Sequence, residues 1–256
     1  TGGSIAYAWV NDNINTNLTA SGSGNISFIA NNDTIVPITS NVTVTPTYTY
    51  NLVSCAGTAM NFSITVNPSG QVNHKPDIQY CHGQSIPEIQ FATVNLGGTT
   101  TYNWTNNLTS IGLAASGTGD IASFTAINSG TTPDTAMIIV TPVFSSVADC
   151  EEDIDTFLII VDPIPVINSS ANITICTGTA INYSLTSNVT GTTYSWTSSD
   201  AEGSIGGNKS GSGISINDTL TNFGENDGIV VYEITPYGPS PSSCEAPKFY
   251  LTVKVV

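Results

Sequence analysis

The sequence predicts an all-β molecule, built as a head-to-tail array of antiparallel β-sandwiches. Three observations predict it. A set of short words recurs with a period of about 90 residues, the size of one small β domain. Each period holds about seven short alternating segments separated by turn residues. No segment sustains the 3.6-residue apolar period of an amphipathic helix.

The recurring words come first. Tyr7-Ala-Trp9, Tyr102-Asn-Trp104 and Tyr194-Ser-Trp196 open three copies, with Trp-to-Trp steps of 104 − 9 = 95 and 196 − 104 = 92 residues. Each is followed by a small-residue turn, Ser21-Gly-Ser-Gly24, Ser116-Gly-Thr-Gly119 and Ser210-Gly-Ser-Gly213. A Thr-Pro pair comes next (Thr45-Pro46, Thr141-Pro142, Thr235-Pro236), then a cysteine (Cys55, Cys150, Cys244). Such a period is too long for a solenoid unit, so the chain reads as an array of domains.

The middle copy shows the strands most clearly. Residues 89–94, 99–105, 121–127, 135–143 and 156–161 alternate or run apolar, and Gly97-Gly98, the Ser-Gly-Thr-Gly turn and Gly130 to Pro133 separate them. This pattern fits a sandwich of immunoglobulin-like connectivity. Tyr102 and Trp104 are two residues apart and face the same way, toward the space between the sheets. Tyr7 with Trp9, and Tyr194 with Trp196, take the same place. Recurrence at one position in every copy fits core packing rather than a sugar-stacking platform.

Domain boundaries follow at 1–68, 69–163 and 164–256. Val66-Asn-Pro68 and Val161-Asp-Pro163 close two copies, and Pro163-Ile-Pro165 stiffens the second junction. Residues 2–7 line up with 97–102, so the first copy is expected to lack the N-terminal strands equivalent to about residues 69–96. The chain accordingly reads as a window on a longer polypeptide.

Composition narrows the partners. Nineteen acids oppose four Lys and Arg, for a formal charge of −15, which excludes nucleic acid and anionic lipid as partners. Hydrophobic residues make up 39%, enough to bury a core despite the acidity. No apolar stretch approaches membrane-spanning length, so direct insertion is not expected.

The cysteines occupy two repeat positions: Cys81 and Cys176 early, Cys55, Cys150 and Cys244 late, in a loop before the last strand. Their wide spacing argues against a metal site, and their recurrence suggests an oxidising compartment. Two pairings stand open. One lies within copies, Cys81–Cys150 and Cys176–Cys244. The other, Cys81–Cys244, staples a junction, because early and late positions lie at opposite ends of a sandwich and meet only between stacked copies. That scheme leaves Cys55, Cys150 and Cys176 free or paired elsewhere.

No catalytic residue, cofactor site or metal site is expected. The chain has no Gly-x-Ser-x-Gly elbow, zincin helix or phosphate loop. His74 and His82 lack counterparts in the third copy and read as solvated loop histidines. Asp149, Glu151, Glu152, Asp153 and Asp155 match no calcium-loop spacing and read as a solvated acidic loop. One Asp-Thr-aliphatic triplet occurs per copy, at Asp33-Thr34-Ile35, Asp134-Thr135-Ala136 and Asp218-Thr219-Leu220, each before the strand that ends in Thr-Pro.

Together, Tyr-x-Trp, Ser-Gly-x-Gly, the run from Ala136 to Pro142, a late cysteine and a closing Val-Asn-Pro resemble the PKD-like repeats of Bacteroidota cell-surface adhesins. The likeness is greatest to those of gliding-motility adhesins. The resemblance implies type IX secretion, display on the outer cell surface as a long filament, and adhesion to a substratum polysaccharide or solid surface. Neighbouring repeats of the same polypeptide would be the other partners. It also implies O-glycosylation at Thr34, Thr135 and Thr219. The third copy departs from the pattern, with 14 rather than 12 residues from Trp196 to Ser210 and no closing proline, so a remodelled loop is expected there. The leading reading is a non-catalytic stalk segment. The alternatives are a carbohydrate- or surface-binding module and spacer domains of a large secreted enzyme.

Overall fold

The computed structural model describes residues 2–146, 149–151, 153–201 and 204–256, and the chain is nearly all β. In the first copy β1 (Ser4–Asn11), β2 (Ser21–Ser23), β3 (Ile38–Tyr50), β4 (Val53–Ala56) and β5 (Met60–Val66) form one sheet of order β2-β1-β3-β4, with β5 also on β3. In the middle copy the strands are β6 (Ile78–Cys81), β7 (Ser85–Ile86), β8 (Thr99–Asn106), β9 (Ser116–Thr118), β10 (Phe124–Thr125), β11 (Asp134–Ser145), β12 (Asp149–Glu151) and β13 (Asp155–Asp162). Their main sheet runs β6-β13-β11-β8-β9, with β12 on β11, and the pair β7–β10 faces it.

The third copy comprises β14 (Asn172–Ile175), β15 (Thr179–Ala180), β16 (Tyr183–Ser184), β17 (Thr193–Asp200), β18 (Ile205–Gly206), β19 (Gly211–Ser212), β20 (Ser215–Ile216), β21 (Thr219–Asn222), β22 (Gly228–Tyr237) and β23 (Phe249–Val255). Its main sheet is β14-β23-β22-β17-β19, opposed by β15-β21-β18 and β16-β20. The first strand of each of the last two copies joins the last strand in parallel, β6 on β13 and β14 on β23. All other ladders are antiparallel. These are tandem immunoglobulin-like sandwiches.

The second sheet is thinner than the sequence suggests. Residues 89–94 form no strand, only a bridge from Ile89 to Ile121, and 121–127 contracts to β10. Side-chain acceptors displace the ladder here: the Phe91 amide donates to the Asp120 carboxylate at 2.7 Å. Two of the late cysteines likewise sit on a short hairpin rather than a loop, Cys55 within β4 and Cys150 within β12, while Cys244 lies in the loop before the last strand.

Period-two alternation fills the cores. Ile138, Val140, Phe157, Ile159 and Ile121 are among the buried residues of the middle copy, and Val230, Tyr232, Ile234, Leu251 and Val253 play the same part in the third. The first copy buries only Trp9, Leu18 and Val42 in its cluster. Tyr7 corrects the sequence expectation. It is 49% exposed, against 9% for Tyr102 and 5% for Tyr194. The reason is visible in the middle copy, where the Phe91 ring packs at a tilt against Tyr102 with centroids 5.4 Å apart. The 1–68 segment has no counterpart to Phe91, so Tyr7 faces solvent.

The third copy does have a remodelled loop. The 3-10 turns Ile14–Thr16 and Thr109–Ile111 follow the Trp strand in the first two copies. The third has β18 instead, tied back by the Ile205 amide to the Asp200 carboxylate at 2.8 Å.

Candidate functional site

The sequence words prove to be partners across strands. Tyr7 lies opposite Pro46, Tyr102 opposite Pro142 and Tyr194 opposite Pro236. Trp9, Trp104 and Trp196 lie opposite the first glycine of each small-residue turn, Gly22, Gly117 and Gly211. A Cβ at Gly22 or Gly117 would collide with the indole ring, and one at Gly211 would meet Trp196 Cζ2 at 2.9 Å. The second glycine has φ of 73°, 71° and 134° in the three copies, the left-handed region that favours glycine. Its amide donates to the tyrosine carbonyl: Gly24 to Tyr7 at 2.9 Å, Gly119 to Tyr102 at 2.8 Å, Gly213 to Tyr194 at 3.0 Å.

The prolines fit because β11 changes partner around Pro142. It pairs with β13 through Val140 and with β12 from Val143. The absent N–H therefore interrupts no ladder bond. All three tryptophans are buried. The indole N–H of Trp196 donates to the Lys209 carbonyl at 3.1 Å, within the loop that is two residues longer. Trp9 and Trp104 bury the same N–H without a partner in the structure.

A second threefold device has no local signature in the sequence. Asn32, Asn128 and Asn222 each clamp the end of the last strand. Asn128 Nδ2 donates to the carbonyls of Thr132 (2.8 Å) and Val161 (2.7 Å), while its Oδ1 accepts from Gly130 N at 2.8 Å. Asn32 repeats this with Val36, Val66 and Thr34, and Asn222 with Asn226, Val255 and Gly224. The only signal was an asparagine at steps of 128 − 32 = 96 and 222 − 128 = 94 in an asparagine-rich chain.

The clamp also provides a ruler for the Asp-Thr triplets, and they are not equivalent. Thr34 follows its clamp asparagine by two residues, Thr135 follows by seven, and Thr219 precedes by three. All three threonines are exposed, but only Thr34 has its hydroxyl committed, to Asn32 Oδ1 (2.7 Å) and the Val36 carbonyl (2.8 Å). Asp218 has work of its own, accepting from the Tyr232 hydroxyl and the Lys209 amide, each at 2.7 Å.

The junction of the middle and third copies carries a disulfide between Cys81 and Cys244, with a Cα separation of 5.6 Å. The within-copy pairs Cys81–Cys150 and Cys176–Cys244 are not formed. Cys55, Cys150 and Cys176 are free thiols. At the same junction a cleft is lined by His82, Asn128, Val166, Asn188 and Pro247. His82 is not simply solvated: its Nδ1 accepts from the Asn128 amide at 2.9 Å. At the first junction the Leu96 amide donates to the Ile35 carbonyl at 2.8 Å.

His74 is exposed and meets the Asp155 carboxylate at 2.7 Å, and the Lys75 amide donates to the same group. That occupies one member of the acidic run; Glu152 lies outside the described residues. Among the described residues no cluster of three or more His, Cys, Asp or Glu could hold a metal ion, and no helix is long and apolar enough to cross a membrane.

Residues 173–256 match the PKD-like domain. The first two copies share the cross-strand pairs and the asparagine clamp of that matched stretch, so the three copies repeat one immunoglobulin-like design. No curated protein matches. Among solved structures, a three-domain I-band fragment of titin aligns over 98% of this chain and 87% of its own at 8% identity, with a TM-score of 0.44. Three N-terminal domains of the bacteriophage RB49 outer capsid protein Hoc align over 98% and 88%, at 14% identity and a TM-score of 0.40. The protocadherin GammaB4 extracellular domain aligns over 85% of this chain, at 10% identity and a TM-score of 0.39, and this chain spans 40% of that one.

Proposed function

We propose that this chain is a non-catalytic stalk segment of a long, repetitive cell-surface adhesin that serves surface attachment and gliding motility. Its units are 1–68, 69–163 and 164–256. The observation that carries this reading is the Cys81–Cys244 bond, which joins two PKD-like repeats outside the peptide backbone. A rod under tension gains from such a staple, because load crosses the junction through sulfur and the residues between the two cysteines are shielded from it. Such a bond persists in an oxidising, extra-cytoplasmic setting. The resemblance to gliding adhesins supplies the finer assignment, including export and O-glycosylation at exposed Thr135 and Thr219. Thr34 is the poorest acceptor, because glycosylation would remove the hydroxyl hydrogen that bridges Asn32 and Val36.

Fluorescent antibody raised against residues 69–256 tests the reading on intact source cells. Labelling that moves along the surface of gliding cells is the expected result; internal or absent labelling overturns it. Beads coated with the segment test the binding-module alternative, and tight saturable attachment to polysaccharide would replace the stalk reading.

A further inference from the structure

The bond at the second junction is not the one an unfolded chain would make. Cys81–Cys244 spans 163 residues and passes over Cys150 and Cys176. Much shorter loops are open to the same thiols, since Cys55 to Cys81 and Cys150 to Cys176 are each 26 residues (81 − 55 = 26; 176 − 150 = 26). Loop closure weakens with about the three-halves power of loop length, so before folding each of those bonds is favoured about 16-fold over Cys81–Cys244.

Folding reverses that order. Cys81 stands beside Asp162, at the Asp134 end of β11, while Cys150 lies opposite Phe144. Ten residues of β11 separate the two places (144 − 134 = 10), about 33 Å of extended strand. The third repeat parts its own pair in the same way. Cys176 follows β14, whose Ile175 lies beside Val255, and Val255 pairs with Gly228 at the start of β22. Cys244 sits at the other end of β22, where its carbonyl accepts from the Gly238 amide at 2.8 Å. A disulfide needs Cα atoms within about 7 Å, so neither within-repeat bond fits the folded chain. The short loops fit no better. Cys150 lines a cleft with Asn67 and Ser69 at the first junction, whereas Cys176 precedes Thr177, whose amide bonds the C-terminal Val256 carbonyl. Cys55, opposite Tyr48, holds in the first repeat the place that Cys150 holds in the second, one repeat further from Cys81.

Each half of the native bond is positioned by its own repeat. The Cys81 amide donates to Gln84 Oε1 at 2.9 Å, and its carbonyl accepts from the Gln84 amide at 3.1 Å. The loop that carries Cys244 is closed by the Ser243 amide on the Pro239 carbonyl at 3.1 Å. Stacking of the repeats brings the two Cα atoms to 5.6 Å. The finished bond leaves Cys244 1% exposed, out of reach of other thiols, whereas a wrong pair through Cys55 or Cys176 keeps an exposed sulfur open to attack.

We propose that the staple is the last step in the maturation of this chain. The folded and stacked repeats select Cys81–Cys244, and the reaction that must supply it is thiol–disulfide exchange acting after folding. A thiolate attacks the Cys81 sulfur of an early Cys55–Cys81 bond, releasing the Cys55 thiolate and forming a mixed disulfide. The Cys244 thiolate then attacks the same sulfur and expels the first thiolate, so one bond replaces another with no net oxidation. A chain that folds reduced takes its bond from a disulfide donor such as glutathione disulfide, which accepts two electrons and two protons and leaves as two glutathione molecules. This order of events holds whether or not the chain is a stalk.

Mass mapping of the bonds in the intact chain tests it. Oxidation in denaturing urea should give Cys55–Cys81 and Cys150–Cys176, each about 16-fold over Cys81–Cys244. Folding the reduced chain first, and only then adding glutathione disulfide, should reverse that ratio. The urea-oxidised chain, moved to native buffer, should convert to Cys81–Cys244 at a rate that rises with added reduced glutathione. Cys81→Ser and Cys244→Ser lack the bond and should keep a cooperative urea transition in tryptophan fluorescence, because folding does not wait for it. A majority of Cys81–Cys244 in urea overturns the proposal, since the unfolded chain would then select the pair. A majority of short-loop bonds after folding, or serine variants that stay unfolded, overturns it as well.

Discussion

Trp104 lies opposite Gly117 in the β8–β9 ladder, so close that a methyl group on the glycine would sit 2.2 Å from the indole Cζ2. Gly119, two residues on, has open space around its missing Cβ but a φ of 71°. The two glycines of one turn are thus required for different reasons.

That difference predicts two magnitudes. Gly117→Ala must move the indole or the turn and should destabilise the middle repeat by about 1–3 kcal/mol, the cost of overpacking. Gly119→Ala is charged only for the left-handed backbone, about 1–2 kcal/mol, and Gly119→Asn should recover part of it. Urea unfolding followed by tryptophan fluorescence checks both. A Gly117→Ala protein as stable as the parent would show that the ring is not held against the turn.

The asparagine clamp predicts a sharper loss than a surface asparagine would give. Asn128 is buried and ties Thr132, Gly130 and Val161 together. Asn128→Ala strands those groups and should cost about 2–3 kcal/mol. Asn128→Asp should be worse at neutral pH, because a carboxylate would face two carbonyl oxygens. Thermal unfolding of the single variants, with Asn73→Ala as the exposed control, measures the contrast.

What could be read from the sequence follows a physical divide. Tyr-x-Trp, Ser-Gly-x-Gly and Thr-Pro were legible because each is a local necessity: a ring needs a glycine, a tight turn needs positive φ, a proline needs a gap in the ladder. That Tyr102 meets Pro142 was not legible, since 40 residues separate them and only the register joins them (142 − 102 = 40). The Asn128 clamp left no local signature, because one asparagine between two carbonyls looks like any other. Tyr7 was expected in the core because its word matches Tyr102, but burial belongs to the covering segment and not to the word. The triplets at Thr34, Thr135 and Thr219 share a word without sharing a place in the fold: Thr34 lies before β3, Thr135 within β11 and Thr219 within β21.

Alkaline pH should weaken the third repeat. Burial first, and then the Asp218 carboxylate that its hydroxyl binds, push the Tyr232 phenol well above its ordinary value, which is near 10. A group whose pKa is raised by folding contributes fully below its unfolded value and loses that contribution as pH climbs above it. Stability of residues 164–256 should therefore be flat in this respect through neutral pH and fall above pH about 10. Tyr232→Phe should cost about 1 kcal/mol at pH 7 and flatten the alkaline decline. Denaturant melts at several pH values test it; an unchanged decline in the variant would assign it to other groups, such as Tyr183, which burial also raises.

The staple makes the most direct mechanical prediction. Load entering at the N-terminus and leaving at the C-terminus crosses from Cys81 to Cys244 through sulfur, so the 163-residue step between them never feels the pull while the bond is intact. Stretching the chain by its ends should then extend only what lies outside that loop. Reduction should release the loop and add about 55 nm of contour, from about 3.4 Å per extended residue. The same gain should appear without reductant in Cys81→Ser and in Cys244→Ser. Cys176→Ser should leave the extension as it is in the oxidised parent, because that thiol is outside the load path. Single-molecule force spectroscopy with and without reductant reads these lengths directly. A parent chain that extends fully in oxidising buffer would show that the two repeats are not joined through Cys81 and Cys244.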